Sequence, residues 1–95
     1  MKIVVRSIAL IKTLLGQGEM ELELADGATI DDVLAELTKI GGEKLAPYVR
    51  VPKEESAHAP LRVMVNGRDI VALAGRRTAL ADGDEVLIFI PIAGG

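Results

Sequence analysis

The residues best suited to chemistry are the last six of the sequence, Ile90-Pro91-Ile92-Ala93-Gly94-Gly95. As the terminal group, the Gly95 carboxyl is ionised at neutral pH, because an α-carboxyl pKa is about 3.5. Such a carboxylate can attack a nucleotide phosphate and become an acyl-adenylate. Gly94 and Gly95 have no side chains, so their backbone can enter a narrow channel in conformations closed to other residues. These properties predict that Gly95 is the reacting residue and that a partner enzyme activates it.

The residues before the two glycines are suited to presenting them. Pro91 limits flexibility where the chain leaves the preceding strand, and the segment from Pro91 to Gly95 reaches about 16–18 Å. Fixing this backbone in a partner costs on the order of 5–10 kcal/mol, and apolar contact offsets that cost at roughly 25 cal/mol per Å² buried. We therefore predict a partner-binding set around the tail, with an ordinary core position as the alternative for Phe89. The set is Phe89, Pro91, Ile92, Ala93 and Gly94.

The rest of the sequence offers no second reactive site. It has no cysteine, which excludes disulfides, thiolate metal sites and a cysteine nucleophile. The single histidine, His58, lies in a polar loop without ligands at metal spacing, and its pairing with Ser56 lacks an orienting acid. The adjacent carboxylates are better explained by a helix start (Asp31, Asp32) and a turn (Asp82, Asp84). We predict no metal, no bound cofactor and no catalysis by this chain alone.

Composition indicates one small globular domain. The chain has 95 residues, of which 49% are hydrophobic and 26% charged, and its only aromatic residues are Tyr48 and Phe89, so the core must be aliphatic. No signal-peptide pattern and no apolar run of about 20 residues is present, so we expect a cytoplasmic protein with no membrane partner. A net charge of −3 argues against nucleic acid as a partner. We expect four arginines to be solvated surface residues; the alternative is that they form a rim that binds an acidic protein partner. They are Arg62, Arg68, Arg76 and Arg77.

Apolar periodicity predicts the strands. Lys2–Arg6 is rich in β-branched residues, which predicts a strand. Glu19–Leu24 alternates between charged and apolar residues, which predicts a second strand with Met20, Leu22 and Leu24 facing inward. These two strands should form an antiparallel hairpin. Residues 7–15 between them are expected to be a turn-rich connection with one helical turn. Strands are also predicted at Leu61–Val65, briefly after the Asn66-Gly67 turn, and at Glu85–Ile90. The last of these has a nearly continuous apolar run, which predicts a central strand buried on both faces.

One helix is predicted between the second and third strands. Thr29 is a suitable N-cap, with Asp32 at the third helical position, and Gly41-Gly42 ends the helix. An apolar stripe predicts that one face packs on the sheet; its members are Ile30, Val33, Leu34, Leu37 and Ile40. Residues 43–60 are irregular, with a short helical turn within residues 43–48. This order predicts an α+β, β-grasp (ubiquitin-like) domain over residues 1–90, with a mixed four- to five-stranded sheet, one main helix and a flexible tail at residues 91–95.

The sequence resembles the prokaryotic ubiquitin-like sulfur carriers, which include the small subunit of molybdopterin synthase and the thiamine-pathway carrier. The specific part is Leu80-Ala81-Asp82-Gly83-Asp84-Glu85-Val86, continuing to Phe89 and the Pro91–Gly95 ending. Gly27–Ile30 and Val65–Ile70 also match the family. Ile90 stands where the molybdopterin-type members often have the first of two prolines.

The resemblance implies a mechanism and a set of partners. An E1-like activating enzyme would use ATP to adenylate Gly95, and a sulfur donor would convert the adenylate to a thiocarboxylate. Sulfur would then pass to an acceptor enzyme such as the molybdopterin synthase large subunit, of which this chain would be the small subunit. Molybdopterin biosynthesis is the first destination implied, with thiamine or tRNA thiolation as others. The alternative is a ubiquitin-like modifier joined to lysines through Gly95, and a third is a binding module without tail chemistry.

Overall fold

A computed structural model describes residues 1–49 and 61–91. The described part contains five strands, three α-helices and three short 3₁₀ turns. The strands are β1 (Lys2–Ser7), β2 (Glu19–Glu23), β3 (Arg62–Val65), β4 (Arg68–Asp69) and β5 (Glu85–Phe89). The helices are α1 (Ala9–Leu15), α2 (Ile30–Gly41) and α3 (Ala46–Val49), and the 3₁₀ turns are Gly42–Lys44, Ile70–Ala72 and Gly75–Arg77.

The five strands form one mixed sheet in the order β2-β1-β5-β3-β4. The first and last strands lie side by side and parallel at its centre, and all other pairs are antiparallel. Asn66 and Gly67 both have positive φ, 50° and 84°, as the predicted tight turn between β3 and β4 requires. The predicted hairpin, the central position of β5 and the β-grasp arrangement are therefore confirmed.

The core lies between α2 and one face of the sheet. Alternate residues of the central strands point into it, including Ile3 and Val5 of β1 and Val86 and Ile88 of β5, each at most 1% exposed. The buried side of α2 supplies Ile30, Val33, Leu34 and Leu37. The buried cluster of sixteen residues is entirely aliphatic, as the scarcity of aromatic residues predicted.

The connection between β1 and β2 is a helix, whereas the sequence predicted mainly turns. Helix α1 buries Ile11 and Leu15 in the core, and Leu14 packs at its edge. Gly16 ends it in a left-handed conformation, with φ of 82° and its N–H donated to the Lys12 carbonyl. A seven-residue helix is marginal in isolation. Burial of its apolar stripe against the core is what stabilises it.

Helix α2 begins as predicted but its apolar stripe is shorter. Asp32 accepts a hydrogen bond from the backbone N–H of Thr29 at 2.8 Å, the reciprocal bond of a capping box. Ile40 was predicted to face the core and is 47% exposed. No element in the described part of the chain covers the last turn of the helix on that side, so the packing stripe ends at Leu37.

Replacing Asp32 by alanine is expected to lower the free energy of unfolding by about 1 kcal/mol, because the cap of α2 loses its acceptor. In a domain of this size that corresponds to a melting temperature lower by about 4–8 °C. Asp31→Ala is the matched control: it removes a neighbouring carboxylate that caps no N–H, and its effect should be less than half as large. Thermal melts of the two variants check this, and equal losses would contradict the role given to the cap.

The Asp82–Asp84 turn brings β5 to β1. Lys2 donates its backbone N–H to Asp82 Oδ1 at 2.7 Å, and Ala81 donates to Asp84 Oδ2 at 2.8 Å. Asp84 Oδ1 also accepts from Asn66 Nδ2 at 3.0 Å, which ties this turn to the β3–β4 turn. The two aspartates are turn residues, as predicted, and this part of the characteristic motif fixes the start of the strand that leads to the tail.

Candidate functional site at the end of the last strand

The predicted reacting residue follows a firmly held strand. β5 pairs with β1 on one side, where Ile88 lies opposite Ser7, and with β3 on the other, where Phe89 lies opposite Arg62. Val86 and Ile88 are fully buried. A strand paired on both sides and anchored in the core fixes the point at which the tail leaves the domain.

The described chain ends at Pro91, which is half-exposed. Ile92, Ala93, Gly94 and Gly95 lie outside the described residues, so their predicted roles stay predictions, and so does the division into a domain over 1–90 and a tail over 91–95. Ile90 packs against the edge of the core cluster, although β5 itself ends one residue earlier, at Phe89. The sequence placed Ile90 within the strand.

Phe89 lies outside the core. It is half-exposed and belongs to the alternate set of β5 residues that faces away from α2. The buried neighbours in sequence, Val86 and Ile88, point to the opposite side. The core alternative for Phe89 is therefore wrong, and its side chain is accessible for the partner contact that was predicted.

The prediction that β5 is buried on both faces is also wrong. Leu87 and Phe89 are half-exposed, because α1 and α2 cover one face of the sheet and no described element covers the other. Met64 lies opposite Leu87 on β3, and Val4 is diagonal to Leu87 on β1. These half-buried apolar residues form a strip across the three middle strands, the open-face strip: Val4, Met64, Leu87 and Phe89.

The sequence contained a signal for the open-face strip that the apolar run concealed. A period of two applied to the whole of β1, β3 and β5 places these four residues on one side. All of them are apolar where a solvent-facing surface would usually carry polar residues. A second apolar surface adjoins the end of β5: Ile8 and Leu10 follow β1 directly and are 51% and 43% exposed.

Charged residues border the open-face strip on both sides. On the β2 side, Arg6 lies 3.6 Å from Glu19 and 3.3 Å from Glu85, and Lys2 lies 3.9 Å from Glu21. Such exposed ion pairs contribute about 0–1 kcal/mol each.

On the opposite border, Asp69 accepts hydrogen bonds from Arg62 and from the backbone N–H of Val71. The Val71 N–H is the main reason that the pKa of Asp69 lies below its usual value, and Arg62 lowers it further. Asp69 therefore stays ionised at neutral pH. Its stabilising contribution is lost only as the pH falls through this lowered pKa.

The other sequence candidates form no competing centre. Ser56 and His58 lie outside the described residues. Within residues 1–49 and 61–91, no group of three or more histidine or acidic residues is placed to hold a metal ion. No helix in the same ranges is long and apolar enough to cross a membrane.

Comparison with known proteins places the chain among small carrier and modifier proteins. It matches the ThiS family over residues 5–95. It is 37% identical over 95 residues to small archaeal modifier protein 3 of Haloferax volcanii, with all of both chains covered. It is 32% identical over 81 residues to an Archaeoglobus fulgidus protein named "Putative sulfur carrier protein", covering 85% of this chain and 89% of that one.

A solved structure gives the same result for the fold. The Pyrococcus furiosus protein described as "Putative molybdopterin converting factor, subunit 1" superposes with a TM-score of 0.77 at 31% identity. The match covers 96% of this chain and 98% of that one. The resemblance stated from the sequence motif is thus confirmed over nearly the whole length.

Proposed function

Because this chain belongs to the ThiS family, we propose that it is a sulfur carrier in which the Gly95 carboxyl is adenylated and then converted to a thiocarboxylate. The observation that carries the proposal is the geometry of β5. This strand is central, paired on both sides and buried on one face, and it leads directly to Pro91 and the glycine tail. In this proposal the chain supplies the Gly95 carboxylate, and partner enzymes supply the catalysis.

The chemistry requires two substitutions, the first at the α-phosphorus of ATP and the second at the Gly95 carbonyl carbon. A carboxylate oxygen attacks the α-phosphorus of ATP held by the activating enzyme, and pyrophosphate leaves. A donor carrying sulfur at the sulfide oxidation level then attacks the carbonyl carbon: the C–S bond forms, the C–O bond to AMP breaks, and AMP leaves. Transfer of that sulfur to an acceptor, with water supplying the returning oxygen, regenerates the carboxylate.

The open-face strip is the surface that we assign to these partners. Phe89 lies at one end of it, so a protein that binds the strip is also placed to receive the tail. Contact with its apolar residues supplies binding free energy at roughly 25 cal/mol per Å². That free energy offsets the entropic cost of fixing the tail backbone, which is on the order of 5–10 kcal/mol. Exposed Ile8 and Leu10 extend this surface at the end of β1.

Molybdopterin biosynthesis is the destination that we propose, with the large subunit of molybdopterin synthase as the acceptor. The Pyrococcus furiosus relative supports it, because its name is that of a molybdopterin converting factor subunit. Ile90, in place of the first of two prolines, is the departure from the molybdopterin-type ending that matters most for this assignment. Thiamine synthesis and tRNA thiolation use the same activated tail and are the other destinations.

Protein modification is the second candidate function, and the name of the Haloferax volcanii relative favours it. In that reaction a lysine amine, instead of sulfur, attacks the activated Gly95 carbonyl. An isopeptide bond forms, and AMP leaves. The activation step and the open-face strip serve both functions equally.

Analysis of the protein from its own host separates the two functions. Tagged protein is purified under denaturing conditions, and both the free chain and any larger conjugates are examined by mass spectrometry. A carrier is expected to yield free chain with one terminal oxygen replaced by sulfur. Conjugates joined from Gly95 to lysines, with no thiocarboxylate in cells that supply the sulfur donor, would replace the carrier assignment by the modifier assignment.

A further inference from the structure

A groove on the helix side of the molecule, away from the open-face strip, has a composition that the proposed function does not explain. It consists of two adjoining open hollows of about 420 and 360 Å³ that share Asp31 and Arg76 in their linings. We call it the α2 groove. The first hollow is also lined by Ile70, Val71, Ala74, Gly75 and Arg77, and the second by Leu34, Ala35, Thr38 and Val49.

Arg76 is fixed at the centre of the α2 groove. Its Nη2 donates to the carbonyl oxygen of Val49 at 2.5 Å, and its Nη1 lies 3.9 Å from Asp31 Oδ1. The side chain is nevertheless 43% exposed. A guanidinium has five N–H donors, of which this arrangement occupies only a part. A held arginine of this kind can bind a carboxylate with little further loss of side-chain entropy.

Val71 supplies an apolar contact at the mouth of the same groove. Its side chain is 82% exposed, the largest value among the exposed large apolar residues in the described ranges. Its backbone is held in place, because its N–H donates to Asp69 Oδ1 at 2.9 Å and Arg62 holds that carboxylate from the other side. Together with Ala74, which lines the same hollow, Val71 gives the groove apolar surface beside its arginines.

The charge of the α2 groove is opposite to that of the protein. Two arginines and one aspartate line it, whereas the whole chain carries −3. Asp31 pairs only loosely with Arg76, and Arg77 has no ion-pair partner among the residues that the structure describes. A local cationic site next to apolar surface favours a ligand that carries both a carboxylate and an apolar side chain.

We propose that the α2 groove binds an acidic, partly apolar peptide segment of a partner protein. A carboxylate of the segment pairs with Arg76 and Arg77, and a neighbouring apolar side chain packs on Val71. Because the groove and the open-face strip lie on opposite sides of the sheet, this partner binds while the tail is engaged elsewhere. The proposal does not depend on the identity of the chemistry at Gly95.

The test uses NMR titration of the ¹⁵N-labelled full chain with a capped peptide of alternating glutamate and leucine. We expect amide shifts concentrated at residues 71 and 74–77, and weakening by about tenfold in Arg77→Gln, as loss of a charge-assisted hydrogen bond predicts. Arg68→Gln is the matched control, because Arg68 is exposed but lines neither hollow. It should leave the affinity unchanged. Arg77→Gln should keep the melting temperature of the parent, since Arg77 makes no side-chain hydrogen bond or ion pair to the described residues.

Several results would overturn the proposal. These are the absence of binding at millimolar peptide, equal binding of a glutamine–leucine peptide, or an equal effect of Arg68→Gln. Stronger binding of a single-stranded oligonucleotide to the same amides would assign the groove to nucleic acid, and concentration-dependent shifts without peptide would assign it to a second copy. Binding that appears only after Glu54 and Glu55 are replaced by glutamine would assign it to the chain's own residues 50–60.

Discussion

Removal of Gly95 is expected to lower the rate of ATP-dependent activation by more than about 100-fold and to leave the melting temperature unchanged. The shortened chain still presents a carboxylate, now on Gly94, but that group is withdrawn by about 3.5 Å. A misplacement of about 1 Å at a reacting atom can already cost on the order of 100-fold in rate. Pyrophosphate release with the cognate activating enzyme measures this loss.

Stability and activation should separate because residues 91–95 are predicted to be a flexible tail outside the core of the described domain. Its last contributing residue is Ile90, at the edge of the buried cluster. Gly95→Ala is the matched control: it keeps the carboxyl at the same chain length and adds one methyl group, so it should be activated more slowly than the parent but faster than the deletion variant. A deletion variant that is activated at nearly the parent rate would show that Gly95 is not the reacting residue. A large loss of thermal stability would show that the tail is part of the core.

Alanine substitutions at Ile88 and Phe89 are expected to have opposite consequences, although the two residues are neighbours. Ile88 is 1% exposed in the aliphatic core, so Ile88→Ala should lower the free energy of unfolding by about 2–5 kcal/mol. In a domain of this size the melting temperature then falls by about 10 °C or more. Phe89→Ala should cost less than about 1.5 kcal/mol, because Phe89 lies half-exposed on the open-face strip.

The effects of the two substitutions on partner binding should be reversed, with the larger loss of affinity in Phe89→Ala. Phe89→Ala removes an aromatic side chain at the base of the tail, and residues of this type at the centre of an interface contribute about 2 kcal/mol or more. Affinity for the activating enzyme should therefore fall by on the order of 30-fold. Ile88→Ala, measured well below its melting temperature, should bind within a few-fold of the parent. If Phe89→Ala unfolds as readily as Ile88→Ala and binds normally, the open-face strip has no role in partner recognition.

The elements that could be predicted from sequence are those whose local signals agree with their packing. Glu19–Leu24 alternates strictly, and β2 has one charged and one half-buried face as that pattern requires. Thr29 and Asp32 cap α2 at the expected position. Asn66-Gly67 adopts the left-handed turn that the residue pair favours. In each case the side chains that determine the conformation lie within a few residues of it.

The features that could not be predicted depend on distant parts of the chain. Helix α1 forms because the core accepts Ile11 and Leu15, and its short segment alone does not encode that contact. The apolar run of β5 is the same whether one face or both are covered. Only the placement of α1 and α2 on a single side leaves Leu87 and Phe89 accessible. Likewise, Arg76 meets Val49 and Asp31 only in the folded molecule.

The candidate site likewise has one part that the sequence predicts and one part that it does not. The sequence predicts a reactive group and its apolar surroundings, Gly95 and Phe89 to Gly94, because a glycine-ended tail and its flanking motif are contiguous in sequence. The open-face strip was missed because its members come from three strands that become neighbours only when β5 pairs with β1 on one side and with β3 on the other.

The most direct test of the central claim is intact-mass and fragmentation analysis of the chain after reaction in vitro. The purified protein is incubated with its activating enzyme, ATP and a sulfide source, and a sample without ATP serves as the control. We expect that one oxygen is replaced by sulfur and that fragmentation places the sulfur on Gly95. An unchanged mass in the complete reaction, with the activating enzyme shown to be active, or sulfur located on any other residue, would contradict it.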